Sequence, residues 1–216
     1  MSSDHLRSRL VLGSRSPRRV ELLSQLISRN SFEVVVAPDE SEPEFDGCRI
    51  LDEILIHLAG IARLKNERVW SILRADSSPL ILTADTTVIA PANPPVVLGK
   101  PDGPDWQKRV RDWFCRFYFG RTHLVATAIC LREPSGTLRE AVVQTEVTFC
   151  DTDDQLLEWY LTTEDSLGKA GGYGIQSAGG IFVTEIQGSL SNVIGLPLKE
   201  TFDFLQPWLT NPTHVH

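Results

Sequence analysis

Near its amino terminus the chain reads Gly13-Ser14-Arg15-Ser16-Pro17-Arg18-Arg19, three arginines and two serines directly after an apolar run. A helix N-terminus offers unpaired amides and the positive end of a dipole to an anion. Guanidinium groups take phosphate oxygens in a two-pronged fork that a lysine cannot make. Ser14, Ser16, Arg18 and Arg19 therefore read as a phosphate cradle. The plainer alternative is a capped, solvated helix start, yet arginine in a first helical turn opposes the dipole and asks for a reason. A second chemistry is that of carboxylates. Asp85 follows Leu80-Ile81-Leu82 near the expected end of a buried strand, and α/β proteins bind ligands at the carboxyl ends of their sheets. Standing alone it would be an ordinary turn or capping aspartate. Glu40 belongs to an acidic run, Pro38-Asp39-Glu40-Ser41-Glu42-Pro43-Glu44, of a kind that is usually only solvated.

Lys65, Lys100 and Lys169 would each be surface lysines in isolation. Gly171, Gly172 and Gly174 let a backbone approach a ligand closely, but they match neither the Walker A spacing nor GxGxxG. GxSxG is absent as well, and His123, in an alternating stretch, reads as a structural hydrogen-bonder. The sum is basic groups for phosphates, carboxylates for a divalent cation or a water, and glycine loops for a flat ligand. Hard cations such as Mg²⁺ take carboxylate and phosphate oxygens. A nucleoside triphosphate is the simplest ligand that meets every part.

These residues need elements to hold them. Leu10-Val11-Leu12 reads as a buried strand ending at Gly13, and Ser16 with Pro17 supplies an N-cap and first-turn proline for a helix striped by Val20, Leu23, Leu26 and Ile27. Residues 32–37 are a β-branched strand candidate and residues 50–73 a long helix carrying Lys65. Residues 79–90 form the most hydrophobic strand, broken in pattern at Asp85-Thr86-Thr87, and a proline-rich loop follows over 91–104. Residues 106–118 look helical. Residues 122–132 and 138–149 flank the turn signal Pro134-Ser135-Gly136 and predict a hairpin. Asp151-Thr152-Asp153-Asp154 caps a helix to about residue 161, a glycine-dense loop spans 168–176, and a strand over 181–186 and a helix over 197–209 close the chain. Strands alternating with helices around one hairpin predict an α/β fold with a mixed, partly antiparallel sheet.

At 216 residues and 42% hydrophobic, the chain supports one substantial core. A formal charge of −7 argues against a nucleic-acid binder, which needs a basic face; any anionic ligand must meet a local positive site. Cys48, Cys115, Cys130 and Cys150 form no CxxC pair and the histidines no zinc-spaced cluster, so reduced structural thiols are expected. No apolar run nears the roughly 18 residues of a membrane span and no secretory segment follows Met1, which makes a cytoplasmic location the expectation.

The ordered parts resemble the Maf family of nucleotide pyrophosphatases, related in fold to the inosine triphosphate pyrophosphatases. The matching landmarks run from Ser14-Arg15-Ser16-Pro17-Arg18-Arg19 through Asp39-Glu40, Lys65, Ala84-Asp85-Thr86 and Leu98-Gly99-Lys100-Pro101. They continue with Gly120-Arg121-Thr122-His123, Lys169-Ala170-Gly171-Gly172-Tyr173-Gly174-Ile175-Gln176 and Asn192-Val193-Ile194-Gly195-Leu196-Pro197-Leu198. The resemblance implies a single domain over 1–216 with a cleft between two lobes, approximately 10–104 plus 181–210 and 105–180, and a homodimer. It implies hydrolysis of a nucleoside triphosphate to the monophosphate and pyrophosphate. Ser14, Arg18 and Arg19 would hold the triphosphate, with charge added by Lys65, Lys100 and Lys169. Asp85, Glu40 and Lys65 would be the catalytic residues: Glu40 and Asp85 would hold Mg²⁺ or Mn²⁺ and polarise the attacking water, with Asp85 as general base. Asp85-Thr86 and Gly174-Ile175-Gln176 look like the subgroup acting on dTTP and UTP, in which Thr86 contacts the substrate. A glutamine amide donates and accepts at once, suiting Gln176 to the O4 and N3–H edge of uracil or thymine. A pyrophosphatase of 7-methyl-GTP or other noncanonical nucleotides and a nucleotide-binding regulator of cell division are the alternatives. The chain departs from the family pattern at Ala128, at Gly13 and in the prolines of 91–95 that precede Lys100.

Overall fold

The structure is a computed structural model and describes residues 6–38, 43–73 and 78–210. Its frame is one sheet that is parallel at one edge and antiparallel elsewhere. The short strand β1 (Leu10–Leu12) lies parallel to β2 (Phe32–Val34) on one side and to β3 (Leu80–Ala90) on the other. Beyond β3 come the antiparallel strands β5 (Thr122–Arg132), β6 (Leu138–Phe149) and β7 (Val183–Gln187), in the order β2-β1-β3-β5-β6-β7. A further strand, β4 (Val96–Leu98), pairs antiparallel with the far end of β3.

Helix α1 (Pro17–Leu26) begins where expected, with the Ser16 hydroxyl accepting the Arg19 amide and Pro17 in the first turn. It packs with α6 (Leu198–Leu205) over Leu10, Leu12, Leu80 and Leu82. The alternate residues Val11 and Ile81 face the other way, onto Val69 and Leu73 of α2 (Leu51–Leu73). Both faces of β1 and of the first half of β3 are thus covered, which is why those segments are continuously apolar. A second core gathers Phe114, Tyr118, Phe149, Tyr160 and Phe182 under α3 (Trp106–Trp113), which continues as a wider π turn (Phe114–Tyr118), and α4 (Asp154–Thr162).

Several boundaries differ from the sequence reading. The second strand stops at Val34, three residues early, although the Val35 amide still bonds the Leu12 carbonyl at 3.1 Å. The proline-rich loop contains β4, because Val96-Val97-Leu98 is too short a run to stand out between prolines. Helix α5 (Leu190–Ile194) went unread, and the terminal helix breaks at Leu205 into a 3₁₀ turn. Asp85 is central in an 11-residue strand and not near its end. The parallel partner β1 is what ends: its last pair is Leu12 with Leu82, three residues before Asp85.

Gly13 has a steric reason. A Cβ there would stand 2.7 Å from the Thr83 methyl and 2.9 Å from a Val69 methyl, inside van der Waals contact with two β-branched side chains that cannot swing away. The sheet and α2 close onto the chain at this point, so the strand leaves its pairing through a residue without a side chain.

His123 is 2% exposed, with Nε2 2.8 Å from the Tyr173 hydroxyl and its ring against Tyr118 and Phe149. Burial pushes its pKa from 6.5 down to about 3. The unfolded chain therefore binds a proton between these limits that the fold does not, and stability falls as pH drops from 6.5 toward 3. The expected His123 contribution approaches about 1.4 kcal/mol per pH unit. Urea denaturation of the wild type and His123→Gln at pH 7 and pH 5 should show a smaller pH dependence in the variant. The four cysteines are free thiols. Among the described residues no helix is long and apolar enough to cross a membrane.

Candidate active site

Three segments meet beyond the end of β1: the Ser14 to Arg19 turn, the middle of β3 with the facing turn of α2, and the glycine loop after α4. Between them lies a cleft of about 430 Å³, within the size range of small-molecule sites. Its described lining carries seven cations, Arg15, Arg18, Arg19, Lys65, Arg68, Lys100 and Lys169, against the single carboxylate Asp85. In a chain of net charge −7 this surplus is local and specific, and it suits a polyanion.

Arg19 is the organiser of the turn. Its Nε donates to the Gly195 carbonyl at 2.8 Å, one terminal nitrogen to Thr86 Oγ1 at 3.0 Å and the other to Ser14 Oγ at 3.4 Å. Behind it runs a chain whose protons are assigned by elimination. Thr127 gives its hydroxyl proton to the Asn192 carbonyl at 2.9 Å, so in the 2.9 Å contact between Thr86 and Thr127 the donor is Thr86. The Thr86 hydrogen is spent on that bond, and its oxygen receives Arg19. The buried Asn192 amide donates to the Val125 carbonyl and to Thr145 Oγ1, both at 3.0 Å. The late Asn192 to Leu198 motif therefore reaches the site as the wall that fixes this arginine.

Asp85 pairs across the sheet with Ala128, on the face covered by α2. Lys65, one turn beyond Ala62, places Nζ 2.5 Å from Asp85 Oδ1, with side chains 20% and 13% exposed. Asp85 Oδ2 has no hydrogen-bond partner among the described residues. Arg68 lines the same wall; its spacing of three from Lys65 on one helix was the signal that could have found it. Arg15, whose guanidinium also reaches the Ala37 carbonyl at 3.4 Å, is the other cation the sequence reading left out.

The glycine loop closes the far side. Gly171 and Gly172 have φ of +72° and +71°, and a Cβ on Gly171 would lie 2.6 Å from the Tyr118 hydroxyl. That hydroxyl donates to the Gly171 carbonyl at 2.8 Å, and Tyr160 donates to the Gly172 carbonyl at 3.0 Å. The Gly171 amide bonds the Gly99 carbonyl at 3.0 Å, stitching the loop that carries Lys169 to the one that carries Lys100. Lys100 and Gln176 are exposed at the cleft. Their side chains, like that of Arg18, make no hydrogen bond or ion pair among the described residues. Of the expected site residues, Ser14, Arg18, Arg19, Lys65, Asp85, Thr86, Lys100, Lys169 and Gln176 all line this one cleft; Glu40 lies outside the described residues.

Among the described residues no three histidine, cysteine or acidic side chains gather to hold a metal. One carboxylate beside a phosphate cradle is nevertheless the donor set that Mg²⁺ or Mn²⁺ accepts when it arrives with substrate phosphates, because such ions are bound by one or two carboxylates plus phosphate oxygens.

Against known proteins, the family model described as Maf-like protein matches residues 9–208. A dTTP/UTP pyrophosphatase of Anaeromyxobacter dehalogenans is 40% identical over 210 residues, covering 93% of this chain and 97% of that one. Its counterpart in Syntrophus aciditrophicus, also a dTTP/UTP pyrophosphatase, is 35% identical over 93% of this chain and 90% of its own length. Among solved structures, a nucleoside-triphosphatase / dITP/XTP pyrophosphatase of Mycobacterium abscessus overlays with a TM-score of 0.36 at 15% identity, covering 65% of this chain and 74% of that one, too loosely to bear on function. With a cation-lined cleft in place and the family pattern matched along nearly its whole length, the chain belongs to the Maf family.

Proposed function

We propose that the cleft hydrolyses UTP and dTTP to the nucleoside monophosphate and pyrophosphate. The observation that carries this is the Lys65–Asp85 pair on the wall of a cleft with seven cations, whose lining includes both the arginine turn and Gln176. Relatives with 33–40% identity that bear the dTTP/UTP pyrophosphatase name support it. The triphosphate lies on Ser14, Arg18 and Arg19 with Lys100 and Lys169 beside it, and Gln176 reads the pyrimidine O4 and N3–H edge. Cytosine presents the inverse pattern at that edge and is disfavoured.

Lys65 occupies one carboxylate oxygen of Asp85 and so orients the other toward the water. Asp85 takes a proton as the water oxygen bonds to the α-phosphorus, and the bond from that phosphorus to the bridging oxygen breaks. Charge accumulates on the departing pyrophosphate, where the arginines and lysines are already placed to meet it, so positioning and electrostatics supply most of the rate. Asp85 and Glu40 would hold Mg²⁺ or Mn²⁺, which would supply Lewis acidity. The rest of the proposal is a cytoplasmic homodimer whose protomers have two lobes, approximately 10–104 plus 181–210 and 105–180, and which clears the nucleotide pool.

Pyrophosphate release across UTP, dTTP, CTP, ATP, GTP and 7-methyl-GTP, with Mg²⁺ and with EDTA, tests the reading. UTP and dTTP should be turned over fastest and only with the metal. Release from purine triphosphates alone would defeat the pyrimidine assignment.

A further inference from the structure

One partly buried acid has no place in the chemistry above. Asp165 stands between α4 and the glycine loop, with its side chain 13% exposed, and it does not line the cleft. Its carboxylate is nonetheless the meeting point of the loop. Oδ1 accepts the Lys169 ammonium at 3.0 Å, while Oδ2 accepts the Ser177 hydroxyl at 2.8 Å and the Gly179 amide at 3.1 Å. Lys169 also donates to the Asp165 backbone carbonyl. Burial raises this carboxyl's pKa, but the hydrogen bonds from Ser177, Lys169 and Gly179 outweigh it and leave the acid below its ordinary range. The space around the loop is tight. A Cβ on Gly174 would fall 2.3 Å from Ser177 Oγ and 2.8 Å from Lys169 Cε, and one on Gly179 would fall 2.9 Å from the Gly174 amide.

We propose that Asp165 is the positioning residue of the base-reading loop: by taking Lys169, Ser177 and Gly179 on one carboxylate it fixes the distance from the phosphate-binding lysine to Gln176, and so sets both nucleotide affinity and base selectivity. The loop is anchored from beneath through the Gly171 and Gly172 carbonyls, held by Tyr118 and Tyr160. Those bonds leave the segment from Gly174 to Gly179, which carries Gln176 at the cleft, to be fastened by Asp165 alone among the side-chain acceptors of the described residues. A carboxylate suits the task because it is acceptor-only and takes several donors, one of them cationic. An asparagine keeps the size but turns an NH₂ toward one set of donors. The water-activating pair of Lys65 and Asp85 belongs to different elements, so loosening the loop acts on binding and base choice before it acts on chemistry.

The inference rests on the nucleotide pyrophosphatase reading, and its test separates the two. KM, kcat and the UTP-to-CTP ratio of kcat/KM are measured for the wild type, Asp165→Asn, Lys169→Met and the double variant, with thermal midpoints alongside. The expected result for Asp165→Asn is a KM for UTP raised about tenfold, kcat within about threefold, and a UTP-to-CTP preference reduced at least fivefold. The double variant should be little worse in KM than the worse single variant, since the two residues act as one unit. A folded Asp165→Asn protein with unchanged KM and base preference overturns the proposal, as does a loss confined to kcat. If Asp165→Asn does not fold, Ser177→Ala removes one of the same bonds from an exposed residue; it should shift KM and base preference in the same direction by a smaller factor, and no shift overturns the proposal. A wild type that turns over some other nucleoside triphosphate sinks the substrate reading, and the same comparison on that substrate and its nearest base analogue still decides the role of Asp165.

Discussion

Asp85→Asn should lower kcat on UTP by about 10³-fold, in the range of roughly 10²–10⁴ associated with a positioned general base, while the protein stays folded and binds nucleotide. The argument is geometric. Asp85 is the only carboxylate among the described residues of the cleft, and its Oδ1 is fixed by Lys65 at 2.5 Å. Its backbone lies within a strand paired on the β5 side along nine residues, so an isosteric amide has no reason to disturb the fold. The amide has no basic oxygen for the proton of the attacking water, and its NH₂ group faces the Lys65 ammonium in one of its two orientations. Removing the one negative charge from a cation-rich wall also removes repulsion toward phosphates. Calorimetric titration with UTP in EDTA should therefore show affinity equal to or greater than wild type. A variant with wild-type kcat would take Asp85 out of the mechanism.

Arg19→Lys should cost about 100-fold in kcat/KM, although the charge is kept. The Arg19 guanidinium satisfies three acceptors on three separate segments, the Gly195 carbonyl, Thr86 Oγ1 and Ser14 Oγ. A lysine ammonium is a point charge on a flexible stem and cannot reproduce that planar fork. Ser14 and the first turn of α1 lose their tie to β3 and to the Asn192 to Leu198 segment, and a displacement of about 1 Å in a phosphate-positioning group can cost 10²-fold. The chemical denaturation midpoint should also fall, by the equivalent of about 1–3 kcal/mol, because the Gly195 carbonyl and the Thr86 hydroxyl are left without their donor. A variant with wild-type kcat/KM would show that the turn holds its shape without this residue.

The sequence made some of this plain because the signals were local. The β5–β6 hairpin was read to the residue, since two β-rich runs flank Pro134-Ser135-Gly136, and α2 announced itself through more than six turns of apolar residues at three- and four-residue spacing. Ser16 and Pro17 placed the start of α1, and through it the arginines. What was not legible depended on other segments. The extent of β3 to Ala90 matches the strand expected over 79–90, but the polar break at Asp85-Thr86-Thr87 set Asp85 near a strand end, whereas it is central, because these polar residues face a cleft and a hydrogen-bonded wall where β1 has already stopped. Strand β4 and helix α5 are three and five residues long and show no usable period. Thr127 and Asp165 look like an ordinary strand threonine and a solvated loop acid. Only the fold shows that one hands its proton to Asn192 in support of Arg19, and that the other gathers three donors 4, 12 and 14 residues further along the chain. Lys169 at a spacing of four from Asp165 was the one hint, and it is too common a pairing to single out a loop.

The most direct measurement is hydrolysis of UTP in ¹⁸O-labelled water with mass analysis of both products. Attack on the α-phosphorus, with the triphosphate laid along the arginine turn, predicts one label in uridine monophosphate and none in pyrophosphate. Label in pyrophosphate, or release of inorganic phosphate in place of it, would mean that water reaches a different phosphorus and that the triphosphate does not lie in the cleft as described.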